Sequence, residues 1–302
     1  MKSVISSTTL ALALLVGAAH VVAAAPLNDP KDPAKKPDAA APAPAAAEAT
    51  EATEAQSDDP DTDVNLAQPD FTLVALPTTL RLPRHKSATR FTHRFGRPLG
   101  EGNFGDLAAD LFGFDSGATI GLEYRFGLFK STQVAVHRTN NRTIQFLLQR
   151  QFASQDDDFP VSIDAFGSAE GTNNFQDSYS PAVGLIVSHE FGDRATIYAE
   201  PFWVNNTNPQ PKEIVDDNDS FMVGLGTRVR LSATVYGVFE FTPRLTGYDP
   251  GDHQVSFGVE KRAGGHSFQL NIGNAFGTTF AEIARGGTSD WFIGFNLSRK
   301  FY

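Results

Sequence analysis

Hydrophobic and polar residues alternate along the closing segment of the chain, Trp291 to Tyr302. One face of this segment is apolar apart from Arg299, and it consists of Trp291, Ile293, Phe295, Leu297 and Phe301. The opposite face is mostly small or polar. A long period-two pattern of this kind is typical of a strand that separates lipid from a polar lumen, as in the closing strand of an outer-membrane β-barrel. An edge strand of a soluble sandwich is the alternative, but it would leave these large apolar side chains in water.

The same alternation recurs along residues 71–302, where no amphipathic helix of any length and no heptad repeat is visible. After a lead-in over residues 71–85, the pattern predicts an all-β, antiparallel, up-and-down barrel of about twelve strands. The predicted strands are 87–95, 118–128, 132–139, 142–152, 160–170, 179–190, 194–204, 220–231, 234–244, 253–262, 266–273 and 290–302.

The lengths of the connections favour a membrane barrel over a sandwich. Long connections, such as 96–117, 205–219 and 274–289, alternate with tight ones, such as 191–193 and 263–265. Short periplasmic turns and long external loops are expected of a barrel with both termini in the periplasm, whereas Greek-key connections have no reason to alternate in this way. Residues 104–112 and 278–284, inside two of the long loops, are expected to form short helices that narrow the mouth.

The first 70 residues differ in composition from the rest. Residues 1–24 have the charged start, the apolar run and the small-residue cleavage site of an export signal peptide. Residues 25–70 are rich in Ala, Pro and acidic residues and have almost no large apolar residues, so they are expected to be a disordered linker. This linker is either a spacer that contacts the cell wall or a solubilising tail. Residues 71–302 form the predicted barrel.

The formal net charge of −10 lies mostly in the linker, so it gives no reason to expect a nucleic-acid partner for the barrel. The chain has no cysteine, which excludes a lipid anchor on cysteine, a disulfide and a thiolate metal site. The expected partners are outer-membrane lipid and a small polar solute, no cofactor or metal is expected, and the oligomeric state is left open.

Three stretches resemble a bacterial β-barrel family known only as a domain of unknown function. They are LFGFDSGATIGLEYRFG at residues 111–127, QVAVHRTNNRTI at residues 133–144 and the closing GFNLSRKF. The resemblance covers about residues 91–301. It implies an outer-membrane location in a diderm bacterium and supplies no catalytic residue.

No motif of an enzyme is present: the chain has no nucleophile elbow, zinc-binding HExxH or phosphate-binding loop. A lipase would need a serine and a histidine together on the lipid face, but Ser188 and His189, as neighbours in a strand, should point to opposite faces. The same holds for His266 and Ser267. The acidic clusters at 156–158 and at 216, 217 and 219 are interpreted as solvated loop residues rather than calcium ligands. We therefore expect a protein that is not an enzyme.

Charged residues on the lumen face are the candidate functional residues. With the register set by the apolar positions, eight charged side chains face inward: Glu123, Arg125, Asp164, Glu200, Arg228, Arg230, Glu240 and Lys300. Buried charges have to pair, stay hydrated or change protonation. Because strands eight and nine are adjacent, we expect Arg228 and Arg230 to pair with Glu240.

Two functions from different classes are compatible with a charged lumen. The first is a small pore or uptake channel for a small polar solute, in which the charges act as a selectivity element. The second is a closed barrel whose charges form a structural network and whose external loops bind a partner or a surface. The pore is favoured over the closed barrel, and an outer-membrane lipase ranks below both.

Overall fold

The computed structural model describes residues 65–114, 117–208, 218–248 and 251–301. The predicted signal peptide and most of the predicted linker lie outside the described residues, as do Asp216 and Asp217. The last part of that linker is described, and it differs from the expectation: residues 67–70 are buried. Buried structure therefore extends into the last residues of the segment that the composition assigns to the linker.

The described residues contain one antiparallel sheet of thirteen strands. These are β1 (Ser87–Phe95), β2 (Ala118–Phe129), β3 (Thr132–Thr139), β4 (Ile144–Ala153), β5 (Ser162–Gly171), β6 (Asp177–Phe191), β7 (Ala195–Val204), β8 (Ser220–Arg230), β9 (Val235–Thr242), β10 (Arg244–Gly247), β11 (Gln254–Ala263), β12 (His266–Gly273) and β13 (Phe292–Phe301).

The sheet closes on itself. Strand β1 pairs with both β2 and β13, and β8 pairs with both β7 and β9. Strand β10 continues β9 along β8 after Pro243, a residue that has no backbone N–H to donate. Strands β9 and β10 are therefore two halves of one barrel strand, and the predicted up-and-down barrel of twelve strands is confirmed.

The two ends of the barrel differ. Ser87 at the start of β1 pairs with Phe301 at the end of β13, so both ends of the barrel chain lie at one rim, which we call the terminal end. The turns at this rim are short except for residues 154–161, which join β4 and β5. The opposite rim, the long-loop end, carries three short helices: α1 (Phe104–Ala109), α2 (Thr172–Phe175) and α3 (Phe280–Ala284). Single 3-10 turns lie at Leu111–Gly113, after α1, and at Gln155–Asp157, at the terminal end.

The two predicted loop helices are both present, and they differ in how deeply they are buried. Helix α1 is capped by Asn103, but none of its residues is buried. Helix α3 is capped by Thr279, whose side chain accepts a hydrogen bond from the N–H of Glu282, and most of its residues are buried. Only α3 therefore contributes to closing the barrel.

The outer wall is apolar at the alternate positions that the sequence predicts. Its exposed members include Phe91, Ile120, Leu122, Tyr124, Val136, Phe146, Leu148, Val183, Leu185, Ile197, Leu225, Phe257 and Leu270. Among the described residues, no helix is long and apolar enough to cross a membrane.

We predict that Leu225→Arg, at the centre of β8 on the outer face, lowers the free energy of unfolding from lipid by about 2–4 kcal/mol, because it places a charge at the middle of the bilayer. The matched control is Leu231→Arg, in the turn after β8 and 64% exposed, where the same change should cost about 0–1 kcal/mol. Urea titration in vesicles measures both. Equal losses at the two positions would contradict a lipid-facing wall.

Candidate functional site

The lumen is occupied by the chain itself. Residues 67–82, which the sequence assigns to the linker and the lead-in, enter at the terminal end, reverse direction at residues 73–76 and return to the same rim. The reversal is a tight hairpin: the N–H of Leu73 donates to the carbonyl of Leu76 at 2.8 Å, and Thr72 forms a bridge with Pro77. We call residues 67–82 the hairpin plug.

Wall side chains bond to many of the backbone carbonyls of the plug. Near the tip, Gln269 Nε2 donates to the carbonyl of Leu73 at 2.8 Å, and Asn296 Nδ2 donates to that of Val74 at 2.8 Å. Other wall side chains also donate to plug carbonyls. These hydrogen bonds run from Thr196 to Ala67, from Arg228 to Asp70 and Thr72, from Arg94 to Val74, from Gln149 to Thr78, from Gln151 to Thr79 and from Gln133 to Leu80. Buried carbonyls need such partners, and here wall side chains supply them.

Glu240 holds the tip of the plug. Its Oε1 accepts hydrogen bonds from the consecutive N–H groups of Val74, Ala75 and Leu76, at 2.6, 2.8 and 2.8 Å. Successive N–H groups in a turn form a concave site that suits an anion, and bonds to an ionised acceptor are stronger than neutral ones. Glu240 itself is fully buried, so this carboxylate and the plug tip depend on each other for partners.

Two glycines on the inner face of β8 make room for the plug tip. A Cβ at Gly226 would collide with the side chain of Leu73, and a Cβ at Gly224 would lie 2.8 Å from Leu76. Both leucines are fully buried. The wall is therefore shaped to receive this segment, and the plug is an integral part of the fold.

Helix α3 closes the lumen from the long-loop end. Phe280 stacks on Phe166, with ring centroids 4.3 Å apart, and meets Phe202 edge-on. The N–H of Phe280 donates to Gln145 and that of Ala281 to Glu170, so the start of the helix is bonded to the wall. The buried residues of α3 and of the plug tip belong to one apolar cluster. A cavity of only about 20 Å³ lies between them, too small for more than about one water molecule.

The charged residues that the sequence places in the lumen take several different partners. Glu123 lies between Arg90 and Arg125, at 2.9 and 3.0 Å. Asp164 accepts a hydrogen bond from Gln149 at 2.6 Å. Glu200 is fully buried, and neither of its carboxylate oxygens has a hydrogen-bond partner among the described residues.

The expected pairing of Arg228 and Arg230 with Glu240 is wrong. Arg228 pairs with Glu260 on β11, at 3.0 Å, and Arg230 donates to the carbonyl of Ala233 in the adjacent turn. Glu240 instead accepts hydrogen bonds from N–H groups of the plug. The plug is not a strand of the barrel, so the order of the strands could not predict this contact. Lys300 lies at the terminal end, where its Nζ is 5.4 Å from the centre of the Phe71 ring.

The sequence argument also missed several lumen residues. Arg90, Arg94 and Glu260 are buried inside the barrel. The sequence analysis predicted no lumen-facing charge on β1 or β11. Simple alternation would have found them. Arg90 and Arg94, for example, lie at the alternate positions of β1 whose side chains point into the lumen. The signal for the plug was the apolar run FTLVALP at residues 71–77, which follows an acidic segment and precedes the first strand.

The serine and histidine pairs lie as expected for a barrel wall. Ser188 is buried and faces Thr79 of the plug, whereas Nδ1 of the half-buried His189 contacts the carbonyl of Pro160. Ser267 is likewise buried, and His266 contacts Arg299. Asp156 and Asp157 form ion pairs with Arg81 at the terminal end. No group of ligating side chains within the described ranges could hold a metal ion.

Comparison with known proteins assigns the chain to a family. A family model described as a membrane-bound beta barrel domain, DUF5777, matches residues 70–301. No curated protein matches the sequence.

Several solved structures are similar in their barrel. The NanC porin has a TM-score of 0.48 at 8% identity, over 71% of this chain and 100% of that chain. The KdgM porin has a TM-score of 0.47 at 8% identity, over 71% and 99%. Outer membrane phospholipase A from Escherichia coli has a TM-score of 0.42 at 9% identity, over 80% and 97%. At these identities, none of them assigns a solute or an activity to this chain.

We predict that Glu240→Gln speeds hydrogen exchange of the Val74, Ala75 and Leu76 amides about tenfold, because three bonds to a carboxylate are replaced by weaker bonds to a neutral amide. Exchange followed by mass spectrometry on the plug measures it. The matched control is Glu123→Gln, a buried lumen carboxylate that accepts no plug N–H. Equal acceleration in both variants would mean that the whole barrel has loosened rather than the tip.

Proposed function

The chain belongs to this family of membrane-bound β-barrels, and we propose that it is an outer-membrane channel for small polar solutes that its own hairpin plug and α3 hold closed. The polar wall behind the plug is the observation that carries this proposal. A channel needs such a wall to be stable against water once it opens, whereas a permanently closed barrel needs polar wall side chains only where they bond to the plug. The buried hydroxyls of Thr92 and Thr242 bond to no group among the described residues.

Polar side chains line much of the inner face, which also carries apolar residues such as Phe166, Ile186, Phe202 and Met222. Its buried uncharged polar members include Thr92, Gln133, Thr139, Gln145, Gln149, Gln151, Ser162, Ser188, Thr196, Ser220, Thr242, Gln254, Ser256, Ser267, Gln269, Asn271, Asn296 and Ser298. Together with the lumen charges, these side chains can hydrogen-bond to water or to a polar solute as well as to the plug.

The plug is attached in a way that allows exchange. Many of its contacts with the wall are single hydrogen bonds to carbonyls, and each is worth only about 0.5–1.5 kcal/mol net, since water can replace the partner. Removing the plug leaves all the strand pairings of the wall in place. Opening therefore requires displacement of residues 67–82 and of α3 without unfolding the barrel.

A second candidate function is favoured by the filling of the lumen. The plug tip and α3 share one apolar cluster, and an apolar cluster stabilises a permanently closed state. In that case the long-loop end would be the functional surface and would bind a partner or a surface. Neither candidate involves catalysis, and the proposal keeps the expectation that the chain is not an enzyme.

We predict that Gly226→Ser raises the frequency of channel openings in planar bilayers, because the new side chain displaces Leu73 from its place against β8. The matched control is Gly237→Ser on β9, where an added Cβ meets only Leu231 at an ordinary 3.7 Å, so its trace should match that of the unchanged protein. Silence of all three proteins, despite folded barrels, would exclude the channel and leave the closed barrel.

The proposed orientation places both ends of the barrel chain in the periplasm and the long loops outside. The chain has no cysteine, so single cysteines report position without background. We predict that a membrane-impermeant maleimide labels Ala109→Cys, exposed in α1, in intact cells. Asp193→Cys, exposed in the turn between β6 and β7, should be labelled only after the outer membrane is permeabilised. The reverse pattern would invert the orientation.

A further inference from the structure

The hairpin plug is a peptide bound in a lumen, and the wall recognises it chiefly through its main chain. We propose that the lumen, once the plug leaves it, binds short peptides, and that the plug is an internal mimic of this ligand. The inference rests on the proposed function, because a peptide can enter only when the barrel opens.

Gln133 shows the form of recognition most clearly. Its Nε2 donates to the carbonyl of Leu80, and its Oε1 accepts from the N–H of Leu82. One side-chain amide therefore reads the carbonyl of one residue and the N–H of the residue two positions later, as a neighbouring β-strand would. Contacts of this kind depend on the peptide backbone and not on its side chains.

Other wall residues extend the same recognition around the lumen. The amide groups of Gln149, Gln151, Gln269 and Asn296 each donate to a plug carbonyl, at 2.8–3.0 Å. These side chains come from three strands, β4, β12 and β13, so the donors surround a guest chain rather than line one side of it. Backbone carbonyls repeat at every residue of a peptide, so a bound peptide can use several of these donors at once.

Glu240 supplies the complementary group. Its Oε1 accepts three consecutive backbone N–H groups from the plug tip. The same carboxylate can bind the N–H groups of another peptide, or the ammonium group at a peptide N-terminus. The wall therefore offers donors to carbonyls, and Glu240 and Gln133 offer acceptors to N–H groups, which is the combination that a peptide requires.

The spaces at Gly224 and Gly226 add a preference for particular side chains. They receive Leu76 and Leu73, which are three residues apart. The structure thus favours peptides that carry small or aliphatic side chains, since these fit the shallow spaces on β8. Phe71, at the terminal end, lies 5.4 Å from both the Arg125 guanidinium and the Lys300 ammonium, so an aromatic side chain is accepted there.

The test uses single-channel recording of the full chain carrying Leu73→Ser, which loosens the plug and leaves the space at Gly226 unchanged, with three probes of similar length. They are a seven-residue peptide of alanine and serine with blocked termini, a peptide with the sequence of residues 68–80, and maltoheptaose. We expect both peptides to block the current at a concentration about tenfold lower than maltoheptaose. Adding Gln133→Leu and Gln269→Leu should raise the blocking concentration of the alanine–serine peptide about tenfold, and by more than that of maltoheptaose.

Equal block by the peptides and maltoheptaose would overturn the peptide proposal while the channel stands. Block by the sequence of residues 68–80 alone would also overturn it, because the lumen would then be a seat for its own plug only. If no variant conducts, the channel itself fails. Peptide binding is then decided by maleimide labelling of Ala75→Cys at the plug tip in the otherwise unchanged chain. The alanine–serine peptide should accelerate this labelling by displacing the plug, and an unchanged rate would overturn the proposal.

Discussion

Backbone hydrogen bonding is the constraint on which this structure depends. In the wall, closure of the sheet pairs the N–H and C=O groups of each strand with its neighbours, so the barrel has no open edge. The plug has no such neighbour, because it makes only a narrow hairpin inside the lumen. Its buried carbonyls and N–H groups therefore require partners from wall side chains, and Gln149, Gln269 and Glu240 provide them. The polar side chains of the inner face and the position of the plug therefore both follow from the need to give the buried backbone groups of the plug hydrogen-bond partners.

This requirement also explains how the charges are arranged. Arg228 donates to the carbonyls of Asp70 and Thr72 and pairs with Glu260, so one guanidinium neutralises an acid and holds a limb of the plug. Glu240 needs no cation for hydrogen bonding, because three N–H groups of the turn serve as its partners. An ion-pair network confined to the wall would leave the plug carbonyls without donors. The charges are therefore shared between the wall and the plug.

Much of the wall could be predicted from the sequence, and little of the lumen could. Alternation assigns Leu225 to the outer face and Glu123 to the inner face, and both lie there. Those positions depend only on period two within a strand. The partner of Glu240 depends instead on residues 74–76, which are more than 160 positions away along the chain and belong to no strand. Arg228 on β8 pairs with Glu260 on β11, although β9 lies between these two strands. A prediction based on the pairing of adjacent strands cannot find such a contact.

The two closures of the lumen are physically linked. Leu73 and Leu76 of the plug tip lie in the same apolar cluster as Phe280 and Ile283 of α3, so each closure buries part of the other. Withdrawal of α3 would expose the plug tip to water and remove apolar contacts, while the bonds from Glu240 and Gln269 would remain. Loss of the plug would conversely leave α3 with its contacts to the wall, which include Phe166, Phe202, Gln145 and Glu170. The plug tip and α3 are therefore joined through apolar packing rather than through charge.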